Sequence, residues 1–404
     1  MKKIITVILS LSLLLAAALP AAGAGGGEYD AAWGMYELGL FLGRGEDAEG
    51  RPDFDLDSPA AREEAVVMLV RLTGNEGSAL RMDRDCPFTD VSDWAKPYVA
   101  HAAYLGLVNG RGEGLLDARS DISATEYLTM ALRALGYRSE PGEEFGAPYE
   151  KDFDWDAAWL KSDEIGLTHG EYGADTEIFT RGDMARVSAA ALGCELNGYG
   201  SGSTLLGRID AGGGLRMAQN AGRFTAAGYF DGETVYPAPS LRLLSEEFAG
   251  ERLLYVHMDD VCLLLAAAAG VLEPSEDGGL SAKYTQDGAE ERFTRDYGAF
   301  RVEQDVRAAG MMLFAKTLTF SVSDGEGTRA LTVTAQPRPG DLWRLRLTEG
   351  VRYFYTDEMT RFSAGGAYVP YVNAEDFLAY FGFDLSLSLR GGAEGTVWSL
   401  TDGD

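Results

Sequence analysis

Three short runs combine a helix-start signature with charge: Ala61-Arg62-Glu63-Glu64, Ser123-Ala124-Thr125-Glu126 and Thr180-Arg181-Gly182-Asp183. An arginine presents a planar fork of donors that meets a carboxylate through two parallel hydrogen bonds. The first turn of a helix adds unpaired backbone N–H groups and the positive end of the helix dipole. Arg62 and Arg181 stand at such a turn, so the chemistry on offer is recognition of an anion. Each residue also has a plainer use. Glu64, Glu126 and Asp183 fall where any acid is favourable by about 0.3–1 kcal/mol. The two arginines can pair with some of the 63 acidic side chains, and Trp94 and Trp159 lie at a helical spacing that suits a core.

Catalytic constellations are sparse. The histidines are His101, His169 and His257, far apart in sequence and without the His-Glu-x-x-His spacing of a metal site. There is no Gly-x-Ser-x-Gly elbow and no phosphate-binding loop. Asp259/Asp260 and Glu375/Asp376 are adjacent carboxylates of the kind a glycosidase uses, but neighbours on a helix point apart. Cys262 sits in an Ala/Leu-rich stretch that suits an inert buried thiol. The expectation is no catalytic residue, no metal and no cofactor.

The charged runs need elements to hold them. Phe88 to Tyr137 reads as helix, Gly-rich loop, helix. Trp94, Tyr98, Ala102 and Leu105 recur at three- and four-residue steps and predict one apolar face. Gly106 ends that helix, and Ser123 with Glu126 has the capping-box pattern that starts the next. A hairpin of this length cannot bury its apolar face alone, and copies flank it. Gly-Leu pairs recur at 39/40, 106/107 and 166/167, a period of about 60 residues. Three helical hairpins are predicted over 28–78, 86–140 and 150–196.

At the start of the chain, Lys2 and Lys3 precede an apolar run from Ile4 to Leu19, followed by Pro20 and Ala22-Gly23-Ala24. This pattern predicts a secretory signal peptide over residues 1–24. Its removal takes two lysines and moves the formal charge from -28 to -30. Such a charge argues against nucleic-acid binding. After cleavage no membrane insertion is expected, since no later run approaches the ~20 apolar residues of a span. Cys86, Cys194 and Cys262 are too few for a disulfide scaffold.

The runs quoted resemble the S-layer homology repeat. Its Phe-x-Asp-Val and Trp-Ala entry stands here as Phe88, Asp90, Val91, Trp94 and Ala95, and its Thr-Arg-Ala-Glu opening as Thr180-Arg181-Gly182-Asp183. The first copy keeps Arg62 and an acid without the threonine, and the second keeps a hydroxyl and Glu126 but has Ala124 in place of arginine. The resemblance covers about 165 residues. It implies an all-α unit in which three repeats pack as a pseudo-trimer. It also implies non-covalent attachment of a secreted protein to the bacterial cell wall, or S-layer surface, through secondary cell-wall polysaccharide that often carries pyruvate ketals. A ketal-linked pyruvate presents a carboxylate to Arg62 and Arg181, and Trp94 offers a face for a sugar ring. The glycan-binding residues implied are Arg62, Glu64, Trp94, Arg111, Glu126, Thr180, Arg181 and Asp183. Ala124 leaves at most two competent grooves.

Composition shifts at the Gly/Ser stretch 197–204, read as a linker or a long turn. Beyond it, 205–404 alternates with the period of strands. Thr317–Ser323 and Ala330–Ala335 read as a hairpin, and Leu342–Leu347 and Val351–Tyr355 as two more strands. Tyr255-Val256-His257-Met258-Asp259-Asp260-Val261 is echoed by Tyr371-Val372-Asn373-Ala374-Glu375-Asp376-Phe377, each a short strand entering a helix. This half resembles the stalk module, also called the copper amine oxidase N-terminal-like domain. That implies a small α+β fold and neither copper nor oxidase activity. Two such modules, over about 205–300 and 315–404, would be displayed outward to meet protein partners. The whole is expected to be multidomain, with an all-α repeat unit followed by an α+β, strand-rich region. Its expected function is wall anchoring. The alternatives are a wall-processing hydrolase with a catalytic C-terminal half, and a surface scaffold whose repeats no longer bind glycan.

Overall fold

The computed structural model describes residues 27–402 apart from 49–50, 145–146, 219, 290, 311–312, 325–326, 363–364 and 393–394. The signal peptide expected over 1–24 lies outside the described residues. The chain divides into two units, the first ending at Arg216 and the second beginning at Met217.

The first unit contains α1 (Gly27–Glu37), β1 (Gly45–Glu46), β2 (Pro52–Asp53), α2 (Arg62–Leu72), α3 (Glu76–Arg81), α4 (Lys96–Tyr104), α5 (Ala124–Ala134), β3 (Gly142–Glu144), β4 (Ala147–Tyr149), α6 (Ala158–Glu164), α7 (Arg181–Gly193) and α8 (Leu205–Gly212). The Gly-Leu pairs end helices as their spacing predicts. Gly39, Gly106 and Gly166 take positive φ of 77°, 70° and 74°, a backbone region open to glycine at no steric cost. Leu40, Leu107 and Leu167 then turn inward and are buried. Their amides return to the carbonyls of Met35, Ala102 and Ser162, closing the same helix-end motif three times.

The expected all-α pseudo-trimer is not what forms. The protein is 27% helical and 36% strand, and strand pairs occur in the first unit too. Gly45 pairs with Asp53 and Glu46 with Pro52, while β3 and β4 form a second ladder. The cause is the backbone of the loops. Where a loop doubles back, its N–H and C=O groups have no helix to enter and pair with each other. Isolated bridges join Pro59 to Thr180 and Ala61 to Asp121 in the same way. The expected apolar face of the Phe88–Tyr137 hairpin also needs correction. Tyr98 and Ala102 are buried on α4, but Trp94 and Leu105 flank the helix and are exposed. The Gly/Ser stretch 197–204 closes as a turn, with Leu196 N–H donating to the Ser203 carbonyl, and leads into α8.

The second unit is strand-rich. It contains β5 (Ala221–Ala226), β6 (Tyr229–Phe230), β7 (Val235–Tyr236), β8 (Leu241–Phe248), β9 (Glu251–His257), α9 (Val261–Ala268), β10 (Leu272–Pro274), β11 (Leu280–Ala282), β12 (Thr285–Ala289), β13 (Arg292–Asp296), β14 (Phe300–Gly310), β15 (Leu313–Asp324) and β16 (Gly327–Ala335). It continues with β17 (Leu345–Thr348), β18 (Val351–Phe362), β19 (Gly365–Asn373), α10 (Ala374–Tyr380), β20 (Leu385–Gly392) and β21 (Gly395–Asp402). The hairpin read from the Thr/Val alternation is β15–β16, with Thr317 opposite Thr334 and Thr319 opposite Thr332. A six-stranded sheet runs β17-β18-β19-β9-β8-β5 and a five-stranded one β12 through β16. The six-stranded sheet draws β5, β8 and β9 from 205–300 and β17, β18 and β19 from 315–404. The two stretches therefore share one sheet and one core, in which Val256, Leu264, Phe320, Leu331, Val372, Phe377 and Trp398 are buried.

Candidate functional site

The charged runs are brought together at the starts of α2, α5 and α7. Ala60, Ile122 and Phe179, each one residue before a helix cap, are buried. Ala60 N–H donates to Phe179 O (3.5 Å) and Ile122 N–H to Ala60 O (2.9 Å), so the three entries are tied to one another. Ser123 and Thr180 form full capping boxes. Ser123 Oγ accepts from Glu126 N–H and Thr180 Oγ1 from Asp183 N–H, while the Glu126 and Asp183 carboxylates accept from the cap amides. Ala61 has no side-chain acceptor, so only the Glu64 half of the box exists there, with Ala61 N–H donating to Glu64 Oε2 at 3.4 Å.

The three acids of these boxes are held differently. Glu64 receives Arg181 Nη1 at 3.0 Å, from the start of α7, and Arg44 Nη2 at 3.1 Å, from the β1 loop. Glu126 pairs with Arg62 Nη1 at 2.9 Å, from the start of α2, and with Arg111. Asp183 meets no arginine from a neighbouring helix start, because that position is Ala124. It accepts instead from Tyr172 Oη (2.9 Å) and Arg186 Nη2 (2.8 Å) of its own segment.

Burial assigns the arginines to two classes. Arg62 and Arg181 are 5% and 4% exposed. Arg181 Nε also donates to Phe54 O and Arg62 Nη2 to Asn109 O. Burial lowers the pKa of both guanidinium groups, against the pull of Glu126 on Arg62 and Glu64 on Arg181. Both remain charged, as guanidinium always is in proteins. The helix-start amides expected to receive an anion are also taken. Arg62 N–H donates to Ser120 O, Glu63 N–H to Ala118 O, Arg181 N–H to Ser58 O and Gly182 N–H to Leu56 O, each at 2.9 Å. At the same corners Arg44 and Arg111 reach solvent, with side chains 39% and 43% exposed, and each also meets a second acid, Asp55 for Arg44 and Asp117 for Arg111. Arg44 was not among the residues singled out from sequence. The signal was available, since Gly43-Arg44-Gly45-Glu46 repeats as Gly110-Arg111-Gly112-Glu113. Both loops need their first glycine: a Cβ at Gly43 would lie 2.6 Å from Asp53 O, and one at Gly110 2.6 Å from Leu115 O.

Asp90 of the Phe-x-Asp-Val entry organises the Arg111 loop. Its carboxylate accepts from the amides of Leu116, Asp117 and Ala118 at 2.8, 2.7 and 3.1 Å. Burial works to raise its pKa, but these amide bonds win and hold it below the usual carboxylate range. Glu126 is likewise held low: burial opposes, and Arg62 and Arg111 prevail. At the corner without an inter-helix arginine the sign reverses for Glu28, which burial, and then Asp183, push up.

A cavity of about 270 Å³ opens beside Glu64, lined by Phe41, Leu42, Gly43, Arg44, Val67, Met68, Arg71, Trp94, Arg181 and Met184. It joins an apolar floor to the exposed guanidinium of Arg44, and Trp94, 53% exposed, stands at its wall. The arrangement offers a flat aromatic face next to a cationic fork, without a nucleophile–base pair. Among the described residues no group of three or more His, Cys, Asp or Glu side chains could hold a metal ion. Cys86, Cys194 and Cys262 are free thiols.

Similarity to known proteins is partial. The chain is 30% identical over 177 residues to a cell surface protein of Thermoanaerobacter kivui, a stretch that is 43% of this chain and 21% of that protein. It is 31% identical over 102 residues to a surface layer protein of Brevibacillus choshinensis, covering 25% of this chain and 9% of the relative. The matches thus span about a fifth or less of those curated relatives. No protein-family profile matches the sequence. The likeness is to surface proteins rather than to enzymes, and no helix among the described residues is long and apolar enough to cross a membrane.

Proposed function

We propose that the first unit is an S-layer-homology-type module that holds the protein non-covalently at the bacterial cell surface by binding an anionic cell-wall polysaccharide. The observation that carries this reading is the cavity beside Glu64, where exposed Trp94 and Arg44 line one opening. A sugar ring lies against the indole, and a carboxylate on the glycan competes with Asp55 and Glu64 for the half-exposed fork of Arg44. Arg111, exposed beside Glu126, is the corresponding cation of a second site. The partial likeness to two surface proteins supports the location.

A second reading has its own support. Arg62 and Arg181, the residues most directly implied as ligands, are buried and paired inside the protein. That favours a unit whose repeats serve only as scaffold. Sedimentation with purified wall sacculi, before and after chemical removal of the secondary polysaccharide, separates the two. Glycan binding requires retention that disappears on stripping and falls in Trp94→Ala and Arg44→Ala. Retention that survives stripping, or that neither substitution changes, leaves the scaffold reading.

A further inference from the structure

The core of the second unit contains a near-duplicate whose two copies differ at one chemically decisive position. β9 and β19 pair antiparallel at the centre of the six-stranded sheet, with Val256 opposite Val372, His257 opposite Tyr371 and Tyr255 opposite Asn373. Each strand runs into a helix whose entry carries an aspartate gripping an arginine. Asp260 receives the backbone N–H, Nε and Nη2 of Arg242 at 2.8, 2.8 and 2.7 Å. Asp376 receives the same three donors of Arg352 at 3.0, 2.7 and 2.9 Å. The last strand residue then accepts a backbone amide at the helix entry. Asn373 Oδ1 takes Asp376 N–H at 3.0 Å, and His257 Nδ1 takes Asp259 N–H at 3.1 Å. An amide oxygen does not titrate near neutral pH, whereas an imidazole does.

His257 is 1% exposed and constrained from every side. Two donors approach the ring, Asp259 N–H at Nδ1 (3.1 Å) and Arg242 Nη1 at Nε2 (3.2 Å), and a neutral imidazole accepts only one of them. The backbone amide is fixed and Glu358 Oε1 stands 3.4 Å from Nε2 as an acceptor, so the lone pair is assigned to Nδ1 and the proton to Nε2. Arg242 Nη1 then faces a protonated nitrogen as a repulsive neighbour and not as a hydrogen-bond partner, and its positive charge opposes a second proton on the ring. The groups facing the imidazole are Arg242 from β8, Asp259 and Asp260 from the α9 entry, Glu358 from the irregular stretch of β18, and Tyr371 from β19. The Tyr371 ring stands edge-on at 5.3 Å, and its hydroxyl donates to Glu358 Oε2 at 2.7 Å. Further out, Lys316 holds Asp259 at 2.6 Å, and Arg223 holds Asp357 at 2.9 Å.

We propose that His257 is an acid-sensitive latch on the entry to α9: a solvent proton taken at Nδ1 removes the acceptor of Asp259 N–H and loosens α9, while α10, latched by Asn373, stays closed. Burial first, and then Arg242, depress the His257 pKa against the pull of Asp259, Asp260 and Glu358. A depressed histidine contributes stability that is present above its unfolded value of 6.5 and is lost as pH falls toward the folded value.

The test is hydrogen exchange of the full chain between about pH 7.5 and 5.5, with protection factors corrected for intrinsic exchange. Protection of the Asp259 and α9 amides is expected to fall about tenfold per pH unit below the unfolded histidine value. The α10 amides are expected to keep theirs, and His257→Asn, which installs the residue of the other copy, to flatten the α9 response. Equal responses of α9 and α10, or an undiminished α9 slope in the variant, overturn the proposal. If His257→Asn does not fold, the ring C–H titration of His257 in the unaltered protein decides. A midpoint below the ordinary histidine value supports the latch, and one at or above it refutes it.

Discussion

The Glu64 and Asp183 corners of the first unit present the same problem and different solutions. Each acid accepts the amide of its own helix cap and each must be neutralised. Glu64 is held by Arg181, whose position in the chain is 117 residues away. Asp183 is held by Tyr172 and Arg186, within 11 and 3 residues. The long-range solution stitches distant segments together and buries a cation; the local one stabilises only its own turn. An arginine at a helix start is therefore not by itself a ligand residue. Here its burial makes it a fastener, and the loop arginine beside it takes the exposed position.

Removing the fasteners is the strongest way to break this contrast. Arg181→Met leaves Glu64 without its buried partner and Phe54 O without its donor, at an expected cost of about 3 kcal/mol. Arg62→Met should behave similarly toward Glu126. Arg186→Met at the local corner should cost no more than about 1 kcal/mol, since that pair is closer to solvent. Chemical denaturation of the three variants checks the order, and equal losses would erase the distinction.

Next in size is the ligand side of the same corner. Trp94→Ala is expected to weaken retention on wall polysaccharide by roughly tenfold, with unfolding unchanged because the ring is half exposed. If it changes stability and not retention, Trp94 belongs to the packing. Acid sharpens the corners further. Glu126 is held below its ordinary pKa, so its contribution is present above the unfolded value of 4.5 and is lost as pH falls through the lower folded one. Glu126→Gln should flatten the acid limb of the stability curve. Glu28 has the opposite sign: its contribution is present below 4.5 and is lost as pH rises through the higher folded value. Glu28→Gln should accordingly stabilise the protein at neutral pH, read as a higher melting temperature at pH 7 and no change near pH 3. The smallest effect expected is ionic. With a formal charge of -28, the chain repels an anionic polymer, and screening relieves that repulsion while contacts inside a groove persist. Retention should therefore rise from very low to moderate salt. A steady fall would point to bulk attraction.

What could be read without the structure was local. Capping boxes at Ser123 and Thr180, helix ends at Gly39, Gly106 and Gly166, and the β15–β16 alternation are properties of a few consecutive residues. What could not be read depends on distant partners. The burial of Arg62 and Arg181 is decided by Glu126 and Glu64, and the meeting of β9 with β19 joins residues 114 to 118 apart. The short ladders that defeat an all-α description arise from loop amides with no periodic signature. Trp94 falls at a helical spacing from Tyr98, yet the helix begins after it, at Lys96, and the ring is left outside.

The knot of bonds around Ala60, Ile122 and Phe179 also bears on how the chain reaches its final state. The start of α2 is completed by carbonyls of 118–120, and the start of α7 by carbonyls of 56–58. Arg181 adds two further links back to Phe54 and Glu64. No stretch shorter than 129 residues, from Phe54 to Gly182, contains all of these partners. Individual hairpins can form early, but they cannot lock until the last segment arrives. A chain ending before residue 181 would keep Glu64 without its buried cation and the 56–58 carbonyls without those donors. Locking of the first unit is thus expected to be a late, cooperative event governed by non-local closure, with truncation costing far more than the loss of a terminal helix.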